Sequence, residues 1–309
     1  MSHDRERFLV TGANGHLGRR LLARLASQQR EARALVRSDR AASTLRALPF
    51  ADSLEIRIAD YADRDALATA AAGCGCIVHL VGILKQTRAT RYEDAHERTA
   101  EAVAAAAARA GARRIVYLSI LGARPDHANP CLASKGRAEQ ILLQGQVPAV
   151  VLQVPMVLGP GEIAAQALRA RACAPFVALA RGGACLEQPI DAEDVVSAIL
   201  AAAERPGLGR ETIALAGPEA LPHRELLARA AALHGRRPRV VPVPAAALHA
   251  LAGLLETLSP DPPVTRAMLG VLECDDCIDP APACARLGIT LTPLDTTLRR
   301  CAGPDAEAA

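Results

Sequence analysis

The chain has 309 residues, enough for one large domain or two smaller ones with a real core. Half of it is apolar and 22% is charged, which is a globular composition with no sign of disorder. Three Phe, three Tyr and no Trp leave little for base stacking, and a net charge of +3 calls for no polyanion, so nucleic acid is not expected as a partner.

No uncharged apolar run is long enough to span a bilayer. The start, "MSHDRERFLVTG", has no apolar segment of the secretory kind. A cytoplasmic protein is expected, or one peripheral to the inner face of a membrane. Nine cysteines, an odd number, argue against a disulfide framework. "CDDC" at 274–277 has C-x-x-C spacing without a second pair, and "CGCIVH" at 74–79 lacks a fourth ligand. Both read as small apolar cysteines, and no metal is expected.

In chain order, "RFLVTG" is a short apolar strand and "HLGRRLLARLASQ" has helical spacing. "EARALVR" is a strand, "DRAASTLRAL" a helix, "LEIRIAD" a strand, "DRDALATAAAG" a helix and "CIVHLVG" a strand. "YEDAHERTAEAVAAAAARAG" predicts one long helix ending at Gly111. "ARRIVYLSI" is a strand, "CLASKGRAEQILLQ" a helix and "PAVVLQV" a strand. Strands alternating with helices predict βαβ units and a parallel sheet covered on both faces.

After about residue 155 prolines and glycines loosen the rhythm. Helices are predicted at "DAEDVVSAILAAAE", "HRELLARAAALHG" and "AAALHALAGLLETL", and strands at "ETIALAG" and "RVVPVP". The expected class is α/β: a Rossmann-like, doubly wound parallel sheet over residues 1–155, then a smaller α+β portion on the substrate side over 156–309, partly packed back on the sheet domain. The apolar stretch 241–260 follows the basic "HGRRPR" and reads either as a core helix or as a surface facing lipid or a partner.

"TGANGHLG", residues 11–18, joins the first strand to the first helix. Gly12 permits the tight turn, Gly15 lets a pyrophosphate approach the backbone, and Gly18 lets the helix sit close to the sheet. The helix N-terminus offers N–H groups and a positive dipole end to the anion. A glycine turn between a strand and a helix, at the head of a βαβ series, points to a dinucleotide. Gly12, Asn14, Gly15, His16, Leu17 and Gly18 are the candidate cofactor contacts. No G-K-[ST] follows, which excludes a P-loop. At the end of the second strand an acid would bind the ribose 2′-hydroxyl of NAD. Arg37 stands there instead, and its planar fork suits a 2′-phosphate. Asp39 and a merely solvated Arg37 keep the other reading open, with NADP(H) favoured over NAD(H).

Together these residues resemble the atypical or extended short-chain dehydrogenase/reductase superfamily, and within it the group of the nucleotide-binding accessory subunit of respiratory complex I and its bacterial homologues. "TGANGHLGRRL", "ALVR", "HLVGILKQTR", "YLSILGA", "SKGRAEQ", "VLGPGE", "PIDAEDVVSAI" and "HRELLARAAALHGRR" carry the likeness in order, and the C-terminal "DDCIDPAPACARLGITLTPLDTTLRR" extends it over nearly the whole chain. The resemblance implies a sheet of about seven strands. It implies that Asp60 contacts adenine, that Leu80, Val81 and Gly82 line the adenosine and ribose, and that Lys135 binds the nicotinamide ribose. Only two lysines occur among the 36 Lys and Arg residues, Lys85 and Lys135. A lysine places a compact three-donor charge on a flexible stem, which a guanidinium cannot imitate.

Active members of that superfamily have a tyrosine four residues before the lysine and a serine after the preceding strand. Ser119 and Lys135 match, but Cys131 occupies the tyrosine position, and no tyrosine lies between 119 and 145. A thiol is shorter and donates hydrogen bonds poorly. His127 is a substitute acid or a solvated loop residue, and His96, where relatives carry asparagine, orders water or backbone or simply packs. Relatives carry Arg-Pro after the sixth strand; here the residues are Gln153, Val154 and Pro155. The expected function is NAD(P)(H) binding with weak or no Tyr-dependent catalysis, in a membrane-associated respiratory or quinone-linked setting. The alternative is an NADP-dependent oxidoreductase acting on a hydrophobic carbonyl or quinone-like molecule through a rearranged proton donor.

Overall fold

A computed structural model describes residues 7–87 and 90–304. In chain order they form β1 (Phe8–Thr11), α1 (His16–Ser27), β2 (Ala32–Val36), α2 (Asp39–Arg46), β3 (Leu54–Ile58), α3 (Arg64–Ala71), β4 (Cys76–His79), α4 (Thr99–Ala110), β5 (Arg114–Ile120), α5 (Pro130–Gln144) and β6 (Ala149–Val154). There follow β7 (Val157–Leu158), α6 (Ile163–Cys173), β8 (Phe176–Ala180), β9 (Leu186–Glu187), β10 (Ile190–Asp191), α7 (Ala192–Glu204), β11 (Glu211–Ala214), β12 (Leu221–Pro222), α8 (His223–Ala232), β13 (Arg239–Val243), α9 (Ala245–Leu258), α10 (Arg266–Leu272), α11 (Ala281–Leu287) and α12 (Leu294–Ala302).

The chain divides into two compact units, each drawn from separate stretches. One holds residues 7–83, 90–153 and 196–213; the other holds 84–87, 154–195 and 214–304. The first is the predicted Rossmann-like α/β unit. Its seven-stranded sheet runs β11-β6-β5-β4-β1-β2-β3. β1 pairs in parallel with both β2 and β4, and β2–β3 and β4–β5 are parallel too. The order reverses at β1, and there the chain leaves β1 and β4 on either side of a crevice of the kind that takes ligands in open α/β sheets.

Strands such as FLVT and AVVLQV are buried along their whole length, because helices cover both faces. Leu9, Leu35, Ile77, Ile115 and Val151 pack with Leu67, Val103 and Leu142 from α3, α4 and α5. The alanines of α3 and α4 fill this layer with little bulk, so the helices lie close to one another. The helix predicted over 92–111 is not uniform: Glu93–Arg98 is a π-helical turn that leads into α4.

The second unit has its own core, in which Leu158, Leu168, Val177, Leu179, Leu226 and Leu298 meet. β8 pairs in parallel with β13, a strand partner that the Pro- and Gly-interrupted "APFVALARGG" did not announce. α9 is not a core helix: Ala252 is its one buried residue. No helix among the described residues is long and apolar enough to cross a membrane.

Arg33 points from β2 into the interior, where it is 7% exposed. It donates to Glu55 at 2.8 Å and to the carbonyl oxygen of Ala72 at 2.8 Å, beyond the end of α3. Arg33→Met leaves buried acceptors unpaired and should destabilise the fold by about 2–4 kcal/mol. Arg64→Ala, which removes an exposed pair with Glu101, should cost less than about 1 kcal/mol. Urea unfolding of both variants checks the contrast.

Candidate functional site

The glycine turn leaves β1 at Gly12, whose φ of +70° is a left-handed conformation. A Cβ there would stand 3.2–3.3 Å from backbone atoms of Leu80 and Val81, where the chain leaves β4. At Gly18 a Cβ would lie 2.6 Å from the carbonyl oxygens of Gly12 and Ala13. Gly15 is the N-cap of α1; no side chain caps that helix and no acid occupies its first turn. Its leading N–H groups and positive dipole end are thus an anion receptor. Asn14 is exposed, and His16 and Leu17 are half-buried. The His16 Nδ1 accepts from Arg19 at 3.1 Å. Burial, with help from Arg19 and Arg20, holds the imidazole below its ordinary pKa.

Beside the turn stands Tyr61, a residue the sequence did not single out. Its buried hydroxyl accepts from the Gly12 N–H at 3.1 Å and donates to the Leu35 carbonyl at 3.0 Å. The exposed Arg37 lays its guanidinium over the Tyr61 ring, 5.8 Å from the centroid. Glycine turn, β2 end and Arg37 are therefore organised by one phenol. Asp39 lies in the first turn of α2, capped by Ser38, where the helix dipole favours an anion. Asp60 is exposed, and one carboxylate oxygen accepts from the Ala62 N–H.

α5 begins where sequence chemistry says a helix should. Asn129 caps it through the Cys131 N–H, and Pro130 takes the first helical position. Lys135, only 4% exposed, donates to the Leu118 carbonyl at 3.0 Å and lies 4.5 Å from the centroid of the Tyr117 ring. Burial pushes its pKa down to about 8, against the pull of Cys131 and Glu139. Gly82 makes room for it: a Cβ there would stand 2.8 Å from the Lys135 Nζ.

Two neutral histidines close the space around the ammonium group. His79 Nδ1 sits 2.7 Å from the Thr11 hydroxyl, and its ring stacks on Tyr117. His96, on the π-helical turn, accepts the Ile83 N–H on Nε2 at 3.1 Å. The ring therefore orders backbone, and its Nδ1 is left as a buried polar atom without a partner, as is the Tyr117 hydroxyl. Burial, followed by the nearby Lys135, lowers both imidazoles to about 3.

Cys131 is fully buried on the same helix, one turn before Lys135. Its thiol faces the Ile83 carbonyl, with Sγ at 3.5 Å. Burial raises its pKa to about 11; Lys135 and a hydrogen bond with Tyr92 oppose that rise. The phenol absent from α5 is thus supplied to the thiol by Tyr92, which comes from outside the window 119–145 and stacks on His96. Ser119 is directed elsewhere. It donates a very short hydrogen bond to Glu139, one turn beyond Lys135. Gln153 donates to both oxygens of the same carboxylate, at 2.9 and 3.0 Å, and to the Ala123 carbonyl. Burial raises the Glu139 pKa in spite of these partners. The His127 Nδ1 accepts the Asn129 N–H at 2.8 Å, so the imidazole braces the N-cap of α5.

The glycine cradle, which any Cβ would fill, and the uncapped helix behind it both fit a dinucleotide pyrophosphate. Among the described residues no group of three or more His, Cys, Asp or Glu is placed to hold a metal ion. Fold and turn define a dinucleotide-binding α/β protein. A family model described as NAD(P)H-binding matches residues 12–206, and the chain belongs to that family. It is 31% identical over 278 residues to a 4-hydroxy-2-methyl-3-oxo-4-farnesyl-3,4-dihydroquinoline-1-oxide ketoreductase of Stigmatella aurantiaca, covering 82% of this chain and 80% of that one. It is 28% identical to a ceramide reductase of Caulobacter vibrioides, over 76% of this chain and 73% of that one. The likeness to complex I is matched by 27% identity to the mitochondrial NADH dehydrogenase [ubiquinone] 1 alpha subcomplex subunit 9 of Arabidopsis thaliana, over 70% of this chain and 55% of that one. Among solved structures, MoeE5 in complex with UDP-glucose and NAD shares the fold, with a TM-score of 0.72, 20% identity, and coverage of 96% of this chain and 97% of that one.

A buried cation has a signature in stability. Unfolded, Lys135 keeps its proton to about pH 10.4; folded, it loses the proton near 8. Between these values the unfolded chain binds more protons, so stability should rise with pH. Cys131, raised to about 11, and Cys74, Cys284 and Tyr117, raised by burial, act in the opposite sense as their unfolded forms ionise. The signature of Lys135 is therefore a difference: from pH 8 to 9 the unfolding free energy of the wild type should rise relative to that of Lys135→Met. Denaturant titrations at closely spaced pH values check it.

Proposed function

We propose that this protein binds NADP(H) in preference to NAD(H) and holds it with weak or no Tyr-dependent turnover. Gly12, Asn14, Gly15, His16, Leu17 and Gly18 receive the pyrophosphate, and Arg37 takes the 2′-phosphate. Asp60, Leu80, Val81 and Gly82 line the adenosine, and Lys135 serves the nicotinamide ribose. A bound nicotinamide supplies a hydride for transfer to a carbonyl carbon. Reduction then needs a proton at the carbonyl oxygen, and this chain's residues are poorly arranged to give one.

The observation that carries the reading is Cys131. Its thiol is fully buried, faces a backbone carbonyl, and has a pKa pushed up to about 11. A group so weakly acidic at neutral pH is a poor general acid. Ser119, which would hold a substrate oxygen in active relatives, gives its hydroxyl to Glu139. The complex I relative and the exposed Leu251, Leu254 and Leu258 of α9 support a setting at a membrane-associated complex.

A second reading has specific support. Two relatives are named as reductases of ceramide and of a farnesyl-bearing quinoline oxide, and Tyr92 places a phenol at Cys131. In that reading the substrate is a carbonyl on a long apolar molecule, and Tyr92 is the rearranged proton source. Turnover of NADPH with long-chain ketones and quinones separates the two. The binder shows none, and Cys131→Ala leaves dinucleotide affinity nearly unchanged. Sustained wild-type reduction, lost in Tyr92→Phe or Cys131→Ala while NADPH still binds, would overturn it. General acid catalysis contributes ~10²–10⁴-fold, so such a loss is readily measured.

Cofactor preference is tested apart from activity. By titration calorimetry, wild type should bind NADPH more tightly than NADH, and Arg37→Glu should weaken NADPH about tenfold or more while sparing NADH. A wild-type preference for NADH, or one unmoved by the substitution, sinks the assignment.

A further inference from the structure

In the second unit a cleft of about 550 Å³ runs along one face of α8, a volume typical of small-molecule sites. Arg224 stands at one end, and Arg236 and Arg237 at the other; Leu227, Ala232 and Val240 are among the residues between them. Positions 224, 227, 228, 232 and 235 follow one stripe of the helix. At ~1.5 Å per residue the ends are roughly 16 Å apart.

The charge in this cleft is uncompensated. Arg224, Arg236 and Arg237 are exposed, and no carboxylate lines the cleft with them. Acids are close by in the chain but are engaged elsewhere. Arg229, on the same helix, takes Glu219 at 3.0 Å, Glu225 at 2.7 Å and Asp295 at 3.7 Å. The C-terminal end of α8 contributes only about half a negative charge, against two guanidiniums just beyond it. Three like charges around a cleft that is otherwise apolar are a net electrostatic cost unless an anion joins them.

We propose that this cleft binds a phosphate group borne on an apolar body, the phosphate on Arg236 and Arg237 and the body along Val240, Ala232 and Ala228 towards Arg224. Guanidinium forks match phosphate oxygens two at a time, and the apolar stretch between the arginines takes a chain that inorganic phosphate lacks. None of its lining residues is among those assigned to the dinucleotide, and the proposal does not depend on that reading. A soluble ester and a lipid headgroup both present such a phosphate, and the two sources are separable.

Three probes serve: monomeric dodecyl phosphate and inorganic phosphate, both by titration calorimetry, and phosphatidylglycerol vesicles by flotation, with phosphatidylcholine vesicles as control. Dodecyl phosphate should bind more tightly than inorganic phosphate. The Arg236→Gln/Arg237→Gln double variant should weaken it by about tenfold or more for each arginine lost. Arg46→Glu, an exposed arginine of the first unit, changes the net charge as much as the double variant and should leave binding unchanged. Flotation on phosphatidylglycerol, lost in the double variant, assigns the phosphate to a headgroup; binding of dodecyl phosphate without flotation assigns it to a soluble ester. Absence of dodecyl phosphate binding, equal binding by wild type and the double variant, or an equal loss in Arg46→Glu overturns the proposal. These arginines are on the surface, so the variants should fold, and unchanged thermal unfolding verifies it.

Discussion

A cation in a protein interior has to be compensated, and Lys135 sets that requirement for one end of the dinucleotide unit. Desolvating an ammonium group costs several kcal/mol unless polar partners replace water. Here the replacements are one carbonyl, Leu118, and the face of one ring, Tyr117. They do not suffice, and the depressed pKa records the shortfall. Much of the neighbourhood follows from this. Gly82 lacks a side chain because the Nζ occupies its space. His79 and His96 stay neutral because burial and a second nearby cation both disfavour their charged forms. Tyr117 keeps its proton for the parallel reason that a buried phenolate lies near Glu139 and Cys131.

On the far side of Lys135 the same helix solves a different problem. Glu139 carries a buried carboxyl, and Ser119 and Gln153 bring it hydrogen bonds from β5 and β6. Gln153 supplies amide protons without adding charge. A guanidinium in its place would add a cation next to one that is already poorly compensated. Gln153 therefore belongs with Ser119 to one polar layer around Glu139, and converting either alone would leave the carboxyl short of a partner.

The sequence made some of this legible and not the rest, for physical reasons. A glycine turn is readable because backbone conformation and close approach act locally: Gly12 needs its left-handed φ, and Gly18 has carbonyls where a side chain would be. Strand runs and helix periodicity placed the sheet and α5 for the same reason. The π-helical turn left no mark in the apolar period. Tyr61, Tyr92 and Glu139 went unread because what matters about them is a partner 14 to 49 positions away, such as Gln153, Ser119, Leu35, Cys131 or Gly12, and no period or spacing encodes such meetings. β8 was missed because its pairing partner, β13, comes about sixty residues later and the flanking Pro and Gly hide a five-residue strand. α9 kept both of its readings open in the sequence, since an apolar helix looks alike whether it is covered or bare.

The chain has three tyrosines and no tryptophan. All three tyrosines are buried in the first unit: Tyr61 under the glycine turn and Arg37, Tyr92 beside Cys131, and Tyr117 beneath Lys135. The second unit has no such ring. The tyrosine emission and the tyrosine bands of the near-ultraviolet dichroism therefore belong to the first unit, and the second contributes only the weak bands of Phe176. An optical titration in the tyrosine bands would read the site without a label, while events confined to the arginine cleft would be silent in those bands.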